Sequence, residues 1–264
     1  MKVVLFCGGL GTRMREFSET IPKPLVNIGN RPIVWHLMKY YAHHGHKEFI
    51  LCLGYRGDLL KEYFLNYKEW LSNDFCLRNG GKSVELFTRD IDDWKIAFVD
   101  TGLNSNIAQR LVAIKRHLEG EEEFLANYSD ALSDLPLPEH IDLFRRKNAI
   151  ASFVAVRPSQ TFHSVAVQED GLVSNIEHVG QSDIWINGGF FVLRKDIFDY
   201  IREGEELVNA PFQRLMAERR LISNKYTGFW AAMDTFKDKK MFDDLNDSGQ
   251  RPWEVWRSQP KSSR

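Results

Sequence analysis

The sequence predicts an α/β fold, a mostly parallel sheet flanked by helices, with a smaller second lobe. Three observations predict it. Short apolar runs alternate with amphipathic segments over the first 156 residues. The runs are continuous rather than alternating, as strands buried on both faces require. After about residue 157 the rhythm changes, and strand-like runs follow one another without long helices. No internal repeat, linker or low-complexity block interrupts the 264 residues, so residues 1–264 are read as one domain, with one part at about 1–156 and another at about 157–264.

Residues 3–7 form a short apolar run closed by Gly8-Gly9, the pattern of a buried strand. Pro32 opens a helix whose Ile33, Val34, Leu37, Met38 and Tyr41 share one face, and Gly45 ends it. Residues 49–53 read as a second buried strand, and Asp58 as the cap of a helix reaching about Phe64. Residues 96–99 read as a third strand. Ile107, Leu111, Ile114 and Leu118 make the apolar stripe of a helix, with Arg110 on its polar side. Residues 124–127 and 150–156 are further strands, with a helix near 138–146 between them. Later come strand-like runs at 164–167, 172–176 and 184–193, helices at about 194–202 and 210–220, and a last helix capped by Thr235 that buries Met241, Phe242 and Leu245.

Composition sets limits. Lys and Arg number 35 against 36 Asp and Glu, so net charge gives no reason to expect a nucleic-acid or anionic-membrane partner. The three cysteines cannot all pair, and Cys7 and Cys52 lie inside apolar runs, as buried thiols in a reducing, cytoplasmic setting do. The apolar start is shorter than a signal-peptide core and runs directly into glycines. No stretch approaches the ~20 apolar residues of a membrane span.

The strongest motif is Gly8-Gly9-Leu10-Gly11-Thr12-Arg13 directly after the first strand, followed by Pro22-Lys23-Pro24-Leu25. Glycines let amide N–H groups approach an anion closely. Arg13 offers a planar fork of donors, and Lys23 is a point charge stiffened by prolines on both sides. A polyphosphate ligand needs all three; the plain alternative is a strand-to-helix turn with a surface arginine. Neither GxxxxGK[ST] nor GxGxxG is present at this loop, against a P-loop ATPase or a nicotinamide dehydrogenase. Asp130 follows the strand at 124–127, where a carboxylate points toward the ligand crevice of an open sheet. Asp234 precedes the last helix. Each alone also reads as a turn residue or a cap, and together they suit a hard cation such as Mg²⁺.

The segments FCGGLGTRM and IPKPLVNIGNRPIVWHLMKYY, with GYRGDLLKEYF, VDTG, INGGFFVL, GFWAAMDT and PWEVW downstream, resemble sugar-1-phosphate nucleotidyltransferases, nearest the glucose-1-phosphate cytidylyltransferase branch. The resemblance covers nearly the whole chain. It implies a Rossmann-like, mostly parallel (mixed) sheet with a smaller sugar-binding lobe. It also implies an enzyme joining a nucleoside triphosphate, CTP favoured, to a glucose 1-phosphate-like acceptor with release of pyrophosphate. On it, Arg13 and Lys23 act on the phosphates; Gly8, Gly9, Gly11, Thr12 and Arg110 meet the nucleotide; Asp130 and Asp234 hold Mg²⁺; and Glu177, His178, Asn187 and Gly188 meet the sugar. No general base is required, because a phosphate monoester is already ionised. A homo-oligomer is implied too, for which Trp70, Phe75, Trp253 and Trp256 are candidate interface anchors unless they fold back on their own domain.

The chain departs from the family pattern in four places. Ser129 and Ala131 flank Asp130 in place of glycines. Both glycines before Arg110 are replaced. Thr161-Phe162-His163 stands for an Arg-Phe-Gly segment. The lysine of a Glu-Lys-Pro segment is His178, and Arg157 and Lys195 are the nearest cations along the chain able to compensate. Three other readings stay open: UTP or dTTP as donor, a different sugar or a polyol phosphate as acceptor, and a non-catalytic nucleotide-sugar sensor.

Overall fold

The computed structural model describes residues 1–9, 21–158 and 162–257. Its strands are β1 (Val3–Phe6), β2 (Asn27–Ile28), β3 (Arg31–Pro32), β4 (Glu48–Leu53), β5 (Phe75–Arg78), β6 (Ser83–Leu86), β7 (Lys95–Asp100) and β8 (Glu123–Tyr128), then β9 (Ala131–Ser133), β10 (Ala151–Val156), β11 (His163–Val167), β12 (Val173–His178), β13 (Ile186–Asn187), β14 (Phe191–Arg194), β15 (Leu221–Tyr226) and β16 (Trp230–Ala232). The described α-helices are α1 (Ile33–His43), α2 (Gly57–Leu65), α3 (Ile107–Ile114), α4 (Leu137–Arg146), α5 (Ala210–Ala217) and α6 (Phe236–Asp247).

The main sheet has eight strands and is mixed. Strands β8, β1, β4 and β7 are parallel neighbours. Strand β14 lies antiparallel between β8 and β10, and β15 runs parallel to β10 on its other side. Thus β10 points the same way as β1, and the C-terminal ends of β1, β4, β7, β8 and β10 share one edge. Period-two alternation gives the sheet two apolar faces. Val3, Leu5, Phe49, Leu51 and Leu125 pack on α1 and the C-terminal segment, while Val4, Phe6, Ile50, Phe124 and Ala126 pack on α3 and α5. That is why the strands read as unbroken apolar runs.

Most elements follow the sequence, and the departures have local causes. Pro32, fixed at φ −70°, precedes α1, whose five expected core residues are all buried. Helix α2 starts at Gly57 after Arg56, which takes a left-handed φ of 47°; Asp58 sits in the first turn rather than at the cap, where its carboxylate suits the helix dipole. The run at 184–193 is two strands, because Gly189 at φ +75° breaks it, and both lie on the same side of β10. Residues 195–200 form a 3-10 helix, and α5 ends at Ala217 so that β15 can pair with β10. The later part of the chain therefore completes the main sheet, while β11 and β12 form a separate hairpin. Thr235 caps α6 through a reciprocal pair with Asp238. Trp253 folds back into the core against His36, Phe229 and Phe242, so it anchors its own domain and not an interface. Among the described residues, no helix is long and apolar enough to cross a membrane.

Candidate active site

A crevice of about 540 Å³ opens at the C-terminal edge of the parallel strands, where open α/β sheets place ligands. Its described lining includes Cys7 and Gly9 after β1, Ser129 and Asp130 after β8, Asn187 of β13, Trp230 of β16, and Lys23 and Asp234. Gly11, Thr12 and Arg13 lie outside the described residues.

Lys23 is the centre of the described charge. It begins a 3-10 turn between Pro22 and the buried Pro24. Its ammonium donates to Asp130 Oδ2 at 2.6 Å and to Asp234 Oδ1 at 2.6 Å. Burial alone would pull the Lys23 pKa down; the two carboxylates outweigh it and the net shift is upward. The aspartates come from distant parts of the chain, joined by a strand pair too short to read in the sequence. Strand β16 runs antiparallel to β9, setting Ala232 opposite Ala131, and Met233 N–H donates to Asp130 O at 2.8 Å. Thr235 takes the capping role, which leaves Asp234 to meet Lys23. The nearby Asp134 is spent on structure, accepting from Phe229 N–H at 2.8 Å and from the Tyr226 hydroxyl.

Gly8 and Gly9 play different parts. A Cβ on Gly8 would lie 2.1 Å from Arg110 Nη1, whereas one on Gly9 would meet none of the described residues within 4 Å. Gly8 is thus demanded by the fold, and Gly9 lines the crevice. Arg110 corrects an expectation: it is buried, not on a solvated helix face. Its guanidinium donates to Leu53 O at 3.0 Å, Thr101 Oγ1 at 2.7 Å, Gly8 O at 3.0 Å and, at 3.4 Å, Leu103 O. It ties together the segments leaving β1, β4 and β7, under the glycine loop.

On the other side, Asn187 Oδ1 accepts from Gly189 N–H at 2.9 Å, and its amide donates to the Tyr128 hydroxyl at 3.4 Å. Trp230 Nε1 donates to Gly188 O at 2.9 Å, and a Cβ on Gly188 would crowd that indole, Val154 O and Val156 at 3.1 Å. Tyr128 and Trp230 join the site without having been singled out in the sequence; their signal was position, next to Asp130 and shortly before Asp234. Cys7 also lines the crevice, but burial pushes its thiol up to about 12, which makes it a poor nucleophile.

Glu177 and His178 are not brought into the described lining. They end β12, and His178 Nδ1 accepts from Gly180 N–H at 3.1 Å. Lys195 is remote from the crevice and paired with Glu122 at 2.5 Å. Among the described residues, no three His, Cys, Asp or Glu side chains gather as a self-sufficient metal cage. Two carboxylates converging on one cation do fit a divalent ion that completes its shell with phosphate oxygens and water.

A carboxylate pair, a cation and a glycine turn at the open edge of a mixed α/β sheet have the chemistry that a phosphorylated nucleotide requires. The comparisons are specific. A family model described as "Nucleotidyl transferase" matches residues 2–231. A Bacillus subtilis (strain 168) protein described as "Probable glucose-1-phosphate cytidylyltransferase" is 39% identical over 97% of this chain and 100% of its own length. The "Glucose-1-phosphate cytidylyltransferase" of Salmonella typhimurium is 35% identical over 97% and 100%. A solved UDP-glucose pyrophosphorylase in complex with UDP-glucose superposes with a TM-score of 0.68, over 94% of this chain and 98% of that one; at 15% identity it supports the fold. The chain belongs to the nucleotidyl transferase family, and within it to the sugar-1-phosphate nucleotidyltransferases.

Proposed function

We propose that this chain transfers the cytidylyl group of CTP to a sugar 1-phosphate of the glucose 1-phosphate type. The observation that carries the mechanism is the Lys23 ammonium held against both Asp130 and Asp234 on the crevice wall. CTP is favoured because two full-length relatives above 30% identity are described as glucose-1-phosphate cytidylyltransferases.

A sugar-phosphate oxygen attacks the α-phosphorus of the triphosphate, the bond to the β-phosphate oxygen breaks in line, and pyrophosphate leaves. The protein's work is positioning and charge stabilisation. Lys23 offsets charge on the reacting phosphates, and Gly9 leaves its backbone clear for their approach, with Arg13, Thr12 and Gly11 assigned to the same task. Arg110 acts through Gly8, by fixing the path of the loop. Asn187, oriented by Tyr128 and its own turn, and Gly188, backed by Trp230, hold the sugar. Asp130 and Asp234 would hold a divalent cation, Mg²⁺ in this reading, which on binding neutralises triphosphate charge. The same two carboxylates hold the Lys23 ammonium on the crevice wall, where the phosphates would lie.

The working form is proposed to be a homo-oligomer. Trp70, Phe75, Leu77, Val84 and Phe87 are all exposed on and around the β5–β6 hairpin, an apolar group suited to a second copy. Light scattering at micromolar concentration tests this, a monomeric mass refuting it. The function itself is tested by pyrophosphate release from CTP with glucose 1-phosphate and Mg²⁺; no release from any triphosphate and sugar 1-phosphate pair would refute it.

A further inference from the structure

The missing lysine leaves the acceptor without its expected cation, and the structure gathers two others nearby. Ala155 of β10 pairs with Asn187 on one side and with Lys225 on the other. All three therefore share one face of the sheet, and the two-residue period puts Arg157 and Trp185 on that face as well. Arg157 Cζ lies 5.4 Å from the Trp185 ring centre and Lys225 Nζ lies 4.7 Å from it. Arg157 Nη1 also donates to Gly180 O at 3.4 Å, which docks the guanidinium on the turn following Glu177 and His178. The cluster begins two residues from Asn187, a lining residue of the crevice, and lies beside the described lining rather than in it.

Among the described residues the two cations have no counter-anion. Lys23 and Lys195 each sit on carboxylates, whereas Arg157 and Lys225 form no ion pair among the described residues, although Glu177 and Asp183 lie close along the chain. Two like charges over one indole repel, and the ring face offsets only part of that cost. An oxyanion bound by both removes the remainder and takes charge-assisted hydrogen bonds from each.

We propose that Arg157 and Lys225, both held against Trp185, bind an oxyanion of the acceptor sugar in place of the absent lysine. The inference rests on the acceptor being a sugar 1-phosphate and names how this chain holds it. The oxyanion is either the reacting phosphate or a second anionic group on the sugar.

Isothermal titration calorimetry on the full chain tests it, with glucose 1-phosphate, glucuronic acid 1-phosphate and CTP as probes. In the Arg157→Gln/Lys225→Gln double variant, acceptor affinity falls at least about tenfold while CTP affinity holds. Arg157→Lys and Lys225→Arg, which keep the charge, retain most of the affinity. Loss with both sugars assigns the reacting phosphate; loss confined to glucuronic acid 1-phosphate assigns the second anion. Acceptor affinities equal in the wild type and the double variant overturn the proposal, as does an equal loss for CTP. Should the double variant not fold, Lys225→Gln alone, an exposed position, must weaken the acceptor at least about threefold, and no change there overturns it. Acceptor binding that depends on these cations in a protein releasing no pyrophosphate would instead sink the transfer reading and leave the anion site standing.

Discussion

Replacing Arg110 by alanine tests whether the glycine loop is held from beneath. The side chain makes three hydrogen bonds of 2.7–3.0 Å and a longer fourth, from a buried position, to segments leaving three strands. A hydrogen bond involving a charged group is worth about 1.5–3 kcal/mol net, and bonds from one guanidinium do not add fully. Water entering the vacated space rescues some of the acceptors. Three such bonds, discounted for non-additivity and for water, give an expected loss of about 3–5 kcal/mol. Arg110→Lys keeps the charge but not the fork, and a loss of about 2 kcal/mol is expected. Equilibrium urea unfolding measures both, with an unchanged slope showing that the same surface is exposed. Because Arg110 reaches Gly8 O, the nucleotide KM should rise more than the acceptor KM. Stability of Arg110→Ala within about 1 kcal/mol of the wild type would refute the reasoning.

Three further outcomes are expected. Lys23→Ala should cost at least about 2 kcal/mol in kcat/KM, yet bind Mg²⁺ more tightly in the absence of nucleotide, because the ammonium no longer competes for Asp130 and Asp234; unchanged kcat/KM would show that Lys23 only braces the turn. Trp253→Ala should lose about 3–5 kcal/mol in thermal or urea unfolding, since a fully buried indole is removed from contact with Phe242 and Phe229; a variant as stable as the wild type would show that the C-terminal segment is not part of the core. Burial lowers the pKa of His36 to about 4 and that of His140 likewise. The unfolded chain takes up these protons first, so stability should fall as pH drops from about 6.5 to about 4, by about 3 kcal/mol for each histidine, and the histidines' share should level off below. His36→Gln should flatten that fall by one histidine's share, and an unchanged slope would count against the burial.

What the sequence reveals and what it hides divide along physical lines. Buried strands and α1 were legible because burial on two faces leaves runs that nothing else explains. The glycine loop and Lys23 were legible because prolines and glycines constrain backbone on their own. Strands β9 and β16 were not, being three residues each, too short for any period, although they bring Asp130 to Asp234. Arg110 misled because a helical stripe distinguishes faces but not ends, and Arg110 stands in the first turn of its helix, over the segments that leave β1, β4 and β7. Trp253 admits two readings in the sequence because an aromatic near a terminus looks the same in a core and in an interface. The Arg157 and Lys225 pair was hidden by sequence distance: strand register, not spacing along the chain, sets Lys225 beside Arg157, while Lys195, closer in sequence, faces elsewhere.

The central claim is nucleotidyl transfer at the Lys23, Asp130 and Asp234 cluster. The most direct measurement is pyrophosphate release across five nucleoside triphosphates and a panel of sugar 1-phosphates with Mg²⁺, repeated in excess chelator and with Asp234→Ala. The account predicts release with CTP as the best donor, abolished by chelator and in the variant while the variant keeps its fold. Full release in chelator, or from Asp234→Ala, would contradict it.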